Sequence, residues 1–414
     1  MKNKLPMMKL RHLYIVILFP LLSACAPEPP LHLYDEGDVE MDLPVVDLDL
    51  QVYWDYSMVY GINYDWKAEW YYGWDDEDRE LFGELGYVEP TIFNLRRYYT
   101  GDRPNQPHTT VRQSTVQGSH FRERYDWGYW DILCWNDIHT LDGIQSLIFD
   151  EETSLDYVTA YTNQTMHSSR YNAPKYTHSF YAPEPLFAAY EQGIEINRNL
   201  DGFVYNPEEN VWVRTLNMEL LPLTYIYLTQ IILHNNRGRI VSTDGSGNLS
   251  GMARSTVLNT GRAGTDAITV AYTTRMKNDV PYVSYAQTTA GASTQDAERV
   301  DIIGGRLMTF GIPELDANRV SPRSEMVPDN HRHYLDINVQ FQNGMDSTMV
   351  FDVTDQVRRR YKGGVLTIEL DVDDIPIPQR PGGSGFDATV QEVEDGGTHV
   401  FDLTRRKRVL RKPE

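Results

Sequence analysis

The sequence is poor in cysteine, in positive charge and in long hydrophobic runs, and each shortage excludes something. Only Cys25 and Cys134 occur in 414 residues, too few for a disulfide-stapled scaffold. Acidic residues outnumber basic ones 59 to 38, for a formal net charge of −21. Such a surface repels nucleic acid and anionic lipid headgroups, so nucleic-acid binding is excluded. The apolar run at residues 13–22 is too short to span a bilayer as a permanent helix. Neither a Gly-x-Ser-x-Gly elbow nor a His-Glu-x-x-His run occurs. Gly245, Gly247 and Gly251 have the wrong spacing for a dinucleotide fingerprint. No catalytic residue, metal ligand set or cofactor is expected, and the chain does not read as an enzyme.

What is present begins at the N-terminus. Lys2, Lys4, Lys9 and Arg11 flank the apolar run, which ends in Leu22-Ser23-Ala24-Cys25. Basic flank, short core and small residues before a cysteine form a bacterial lipoprotein box. Cleavage between Ala24 and Cys25 would leave Cys25 as an acylated first residue, so membrane lipid is the first expected partner. Ala26 rather than aspartate after the cysteine favours the outer membrane, with the side the body faces left open. Residues 25–44 then read as a proline-rich extended tether, from Ala26-Pro27-Glu28-Pro29-Pro30 onward.

The remaining chain is rich in tyrosine (27 residues) and aromatic overall (12%), which favours strands over helices. Leu48, Leu50 and Val52 alternate with Asp47, Asp49 and Gln51 in a half-buried strand from residue 45. Further strands are expected at 92–99, 154–161, 267–275 and 306–311, and two around Pro222 within 218–234. Residues 121–135 read as a long strand or hairpin broken at Asp126-Trp127-Gly128. Residues 183–199 read as a helix, with Phe187, Tyr190 and Ile194 on one face. Residues 334–353 form a hairpin. A three-residue loop Gln342-Asn343-Gly344 pairs Phe341 with Met345, Ile337 with Met349 and Leu335 with Phe351, whereas a two-residue turn would mix the faces. Thr354 is expected to cap a short helix that Gly363-Gly364 stops. The fold class that follows is mainly β: two tandem Greek-key β-sandwich domains with short helical insertions. The expected organisation is a signal peptide at 1–24, the lipidated tether at 25–44, sandwich domains at 45–212 and 213–403, and a basic tail at 404–414.

The segment Tyr129-Trp130-Asp131-Ile132-Leu133-Cys134-Trp135-Asn136-Asp137, preceded by Gly128, resembles one in bacterial fimbrial anchor and minor fimbrillin lipoproteins. Over nearly the whole mature chain the sequence resembles an uncharacterised family of outer-membrane lipoproteins from Bacteroides-like gut bacteria, a domain of unknown function. Pro30-Leu31-His32-Leu33-Tyr34, Leu249-Ser250-Gly251-Met252-Ala253-Arg254 and Gly305-Arg306-Leu307-Met308-Thr309-Phe310-Gly311 carry that likeness. The resemblance implies a lipobox followed by two transthyretin-like domains, and an adhesion role with a pilin-like or adhesin protein as partner. It brings no catalytic residues. The basic tail, Arg405-Arg406-Lys407-Arg408 with Arg411-Lys412, departs from it.

Ten aromatic residues crowd positions 53–74, among them Trp66, Trp70, Tyr71, Tyr72 and Trp74. Core packing against a crossing segment is the first reading; a partner surface and a glycan platform are the others. Cys134 reads as a small buried hydrophobe. His331 and His333 have the same-face spacing of a strand but lack a third ligand, and read as solvated at a hairpin edge. Residues 244–248 have the oxygens of a calcium loop without its closing glutamate, and read as a plain turn.

Overall fold

The computed structural model describes residues 43–52, 65–138, 145–151, 158–165, 179–284, 297–314, 332–378 and 399–401. Ala24, Cys25, the tether up to residue 42, residues 53–64, His331 and the basic tail lie outside the described residues. The described chain opens with β1 (Val45–Val52), helices α1 (Trp66–Glu69) and α2 (Asp76–Phe82), then β2 (Ile92–Gly101), β3 (Thr110–Gln117), β4 (His120–Arg124) and β5 (Gly128–Asn136). Short strands β6 (Leu147–Asp150), β7 (Thr159–Thr162) and β8 (Ser179–Tyr181) precede β9 (Phe187–Ile196), β10 (Val204–Asn206) and β11 (Val211–Pro222). There follow β12 (Tyr225–His234), β13 (Ile240–Ala253), β14 (Ser255–Val257), β15 (Arg262–Ala263), β16 (Ala267–Tyr282) and β17 (Glu298–Thr309). The last elements are β18 (Tyr334–Phe341), β19 (Asp346–Asp352), helix α3 (Thr354–Arg359), β20 (Gly364–Asp371) and β21 (His399–Phe401).

The chain is mainly β, with two large curled sheets and few helices. The first runs β3-β2-β5-β9-β11-β1-β4, with β10 beside β11. The second runs β20-β12-β17-β16-β13-β18-β19-β21, with β8 beside β16. A small sheet, β15-β14-β7-β6, accompanies them. Each large sheet curls around its own core because its strands alternate. Val46, Leu48 and Leu50 of β1 lie in register with Arg214, Leu216 and Met218 of the parallel β11. They pack with Phe93, Leu95, Trp130, Ile132, Phe187 and Ile194 in the first core. Leu335, Ile337, Val339 and Phe341 of β18 pack with Met349 and Phe351 of β19 in the second. Strand β5 is buried on both faces: Cys134 joins the first core, while Leu133 and Trp135 join a cluster reaching Leu147, Ala160 and Phe310. Burial pushes the Cys134 thiol well above the usual thiol range, as suits an inert filler.

The β18–β19 hairpin has the register expected of a three-residue loop. Leu335 pairs with Phe351 and Ile337 with Met349. The Phe341 N–H donates to Met345 O at 2.8 Å, and Gly344 takes φ 76°. Five expectations are corrected. Residues 183–199 are not a helix but carry β9. Phe187 and Ile194 are an odd number of positions apart and would face opposite ways on a regular strand. A bulge opposite Trp130 and Ile132 brings both into the first core. Gly193 supplies φ 71° there, and its N–H donates to Asp131 Oδ1 at 2.7 Å. Residues 121–135 do not form a hairpin, since β4 pairs with β1 while β5 pairs with β2 and β9. Residues 244–248 are an irregularity inside β13, with Gly245 at φ 81°, rather than a turn between elements. Thr354 is the first residue of α3 rather than its cap, its hydroxyl accepting from the His333 N–H at 2.9 Å. His333 itself is fully buried, not solvated.

Candidate functional site

The aromatic candidates fall on a strap, residues 65–87, that crosses the outer face of the second sheet. Asp65 accepts from Ala68 N–H at 3.3 Å to start α1, and Asp75 and Asp78 exchange bonds in a capping box that starts α2. Between the helices the strap is held by Gln230 of β12. Its Oε1 accepts from the Tyr71 and Tyr72 N–H groups at 2.9 and 3.2 Å, and its amide donates to Glu69 O at 2.6 Å. Tyr72 is buried, its ring against Gly304, where a Cβ would stand 2.4 Å from Tyr72 Cδ2. Lys277 Nζ lies 4.1 Å from the same ring centroid. Tyr71 meets Tyr282 edge-on at 4.8 Å, and Trp74 lies 5.4 Å from Phe82. Trp66 and Trp70 pack on the cluster of Ile226, Leu228, Met308 and Val365.

A charged clamp fixes the strap. Asp78 is fully buried; its Oδ1 accepts from Tyr72 OH at 2.9 Å and Arg275 Nη1 at 2.7 Å, and its Oδ2 pairs with Lys277. Burial, then the bond to Asp78, pushes the Tyr72 phenol far above its ordinary range. Glu69 pairs with Arg360, and Arg306 donates to Leu85 O at 3.0 Å and Gly86 O at 3.2 Å. The five aromatic candidates are thus brought together as the packing face of a docked segment.

The sheet edges differ more sharply. Pairing of Ile92 with Gln117, and the bond from Gly118 N–H to Thr91 O at 2.8 Å, set the phase of β3 against β2. The alternating residues Val111, Gln113, Thr115 and Gln117 therefore turn their backbone N–H and C=O groups away from β2. Among the described residues β3 has no second neighbouring strand. The edge of β20 is closed instead. The Gln356 amide accepts from Thr367 N–H at 2.9 Å and donates to Thr367 O at 2.8 Å, and Arg360 donates to Val365 O. Strand β4 is short and carries His120, Arg122, Glu123 and Arg124. Side-chain capping, brevity and charge are the usual means of blunting an edge, and β3 uses none of them beyond Arg112. Sequence reading missed β3 because Thr-Val-Arg-Gln-Ser-Thr-Val-Gln has almost no apolar alternation.

A cavity of about 250 Å³ lies beside Trp135 and Phe149, with Asn94, Gln145, Glu151 and Glu184 among its polar lining. Among the described residues no group of three or more His, Cys, Asp or Glu could hold a metal ion. No described helix is long and apolar enough to cross a membrane.

No protein-family model matches the chain, and no curated protein matches it. It is similar in structure to a candidate adhesin from Bacteroides ovatus, at 14% identity and TM-score 0.46 over 82% of this chain and 94% of that one. A candidate adhesin from Bacteroides thetaiotaomicron is similar at 11% identity and TM-score 0.40, over 81% and 94% of the two chains. The fimbrial anchor protein Mfa2 from Porphyromonas gingivalis is similar at 9% identity and TM-score 0.34, over 78% and 90%. The chain's structural neighbours are thus candidate adhesins and fimbrial proteins.

Proposed function

We propose that the chain is a lipid-anchored protein of the outer membrane, a fimbrial-anchor-like or adhesion accessory subunit that works by binding another protein. Acylation of Cys25 supplies the mooring, and the open edge of β3 supplies the binding row. An extended segment of a pilin-like or adhesin partner would add there as a further strand, with main-chain bonds to Val111, Gln113, Thr115 and Gln117 giving affinity. The observation that carries this reading is the contrast between that bare edge and the closed edge of β20. The test has two parts. Labelled fatty acid is expected on the wild-type protein and not on Cys25→Ala, which leaves the membrane fraction. A partner protein is expected to co-purify from intact cells with the wild type and not with a variant whose β3 edge is blocked. Unchanged sedimentation of Cys25→Ala would refute the anchor, and unchanged co-purification would refute the edge.

A glycan-binding reading has separate support in the cavity at Trp135 and Phe149, where ring carbons adjoin amide and carboxylate groups suited to sugar hydroxyls. Saturable binding on a glycan array that Gln145→Ala abolishes would favour it. An array without binding removes it.

A further inference from the structure

The first sheet has one end at which the chain arrives, and that end presents an exposed aromatic hairpin. The first residue of β1, Val45, lies in register with Val213 of β11. Strand β10 pairs with β11 as Val204 with Val213, Tyr205 with Trp212 and Asn206 with Val211. Trp212, Val211 and the turn 207–210 therefore extend past the point where β1 begins. The link to β12 leaves from the opposite end, after Pro222.

Trp212 shares a face with Leu216, Met218 and Leu220, which pack in or against the first core, but it stands beyond the end of that core. Tyr205 lies beside it, ring centroids 5.3 Å apart. The pair is uncovered: Val204 is 72%, Tyr205 44% and Trp212 39% exposed, and Trp212 is the one exposed tryptophan among the described residues. The hairpin is also held in place. Asn210 takes φ 52° at its tip and its Oδ1 accepts from Tyr205 OH at 2.7 Å. Arg122 bridges the tip to β1 by contacting Glu209 at 2.6 Å and Asp47 at 3.2 Å. Energy that would otherwise go into ordering this hairpin on contact is already spent by the fold.

We infer that the β10–β11 hairpin rests on the phospholipid bilayer that holds the acylated Cys25, setting the tilt of the body at the membrane surface. The inference depends on the lipid-anchored reading above. The proline-rich sequence from Cys25 to Pro44, if fully extended, would let the body stand up to roughly 60 Å from the membrane, at about 3.1 Å per residue. The tether alone therefore fixes no orientation. Tryptophan and tyrosine have the chemistry for the headgroup boundary, an apolar body with one polar end. They are placed at the end of the sheet where the tether joins. With this end down, the link to the second sheet leaves from the end turned away from the membrane.

The test uses the full acylated chain in phosphatidylethanolamine–phosphatidylcholine vesicles, whose net-neutral surface does not repel this acidic chain, with a nitroxide on Val204→Cys and, as control, on Gln117→Cys at the opposite end of the sheet. With Cys25 acylated as proposed and Cys134 buried, the label goes to the introduced thiol. Flotation with vesicles scores the anchor; relaxation by oxygen and by an aqueous nickel chelate scores the hairpin. The expected result is flotation of both, with the 204 label shielded from nickel and opened to oxygen, the 117 label the reverse, and the shielding lost when Trp212→Ala and Tyr205→Ala are added. Flotation with both labels equally open to nickel overturns the docking and leaves the anchor intact. Failure to float overturns the anchor, and the docking with it.

Discussion

Strand β20 and strand β3 each stand at one end of a large sheet, and the chain treats their free edges differently. On β20 the outward N–H and C=O of Thr367 are matched by a single glutamine amide from α3, and Arg360 takes the carbonyl of Val365. The neighbouring strap is bolted on through the buried Asp78 and Gln230. On β3 four residues offer the same groups, and among the described residues no side chain is placed to meet them. A buried carboxylate is costly, and so is a long side chain held in one rotamer; the second sheet bears both costs to cover itself. The first sheet bears neither at β3, as the proposed strand addition at that edge requires.

The comparison breaks most visibly at β3 itself. Gln113→Pro removes an outward N–H and leaves the β2–β3 bonds intact, the position at which an edge strand tolerates proline. Partner capture is expected to vanish, while stability stays within about 1 kcal/mol of wild type in chemical denaturation. Next in size is Asp78→Ala, which leaves a cavity beside Arg275 and Lys277 and removes their buried partner, with the more exposed Asp75 and Glu77 as the remaining counter-charges. A loss of about 3 kcal/mol is expected, with hydrogen exchange at the Tyr71 and Tyr72 amides rising more than at the β1 amides. Gln356→Ala then turns β20 into a second open edge. It is expected to cost about 1–2 kcal/mol and to produce concentration-dependent self-association in sedimentation velocity.

A pH dependence sharpens the same contrast inside the sheets. Buried Asp131 in the first sheet accepts from Gly193 N–H, Tyr190 OH and His108. Buried Asp336 in the second accepts from Asn248 through Oδ2 at 2.9 Å, while Oδ1 has no hydrogen-bond partner among the described residues. Burial, with the nearby charge of Asp244 adding to it, pushes Asp336 up from 3.8 to about 7. Its folded value is above its unfolded one, so the contribution to stability is full below about pH 4 and is lost as pH rises through about 7. Asp336→Asn is expected to flatten that slope, and a thermal midpoint series across pH measures it.

Much of the fold was legible where one face of a strand is apolar. The β18–β19 hairpin was legible to the residue because a wrong loop length would have turned Phe351 and Met349 away from Leu335 and Ile337. Strand β9 was not, because its bulge at Gly193 shifts the alternation by one and imitates a helical face. Strand β3 was invisible for the opposite reason: a strand that packs little and faces solvent has no pattern to read, and its polarity is what an open edge requires. The aromatic cluster was legible as a composition but not as a place. Its attachment depends on Gln230, Arg275 and Lys277, more than 150 positions away in the chain, and on the absence of a side chain at Gly304.

The most direct measurement is photocrosslinking in intact cells from single probe residues at Gln113 of β3 and at Glu369 of β20. The account expects a protein adduct from Gln113 and none from Glu369. Adducts of equal yield from both edges, or an adduct from Glu369 alone, would contradict it.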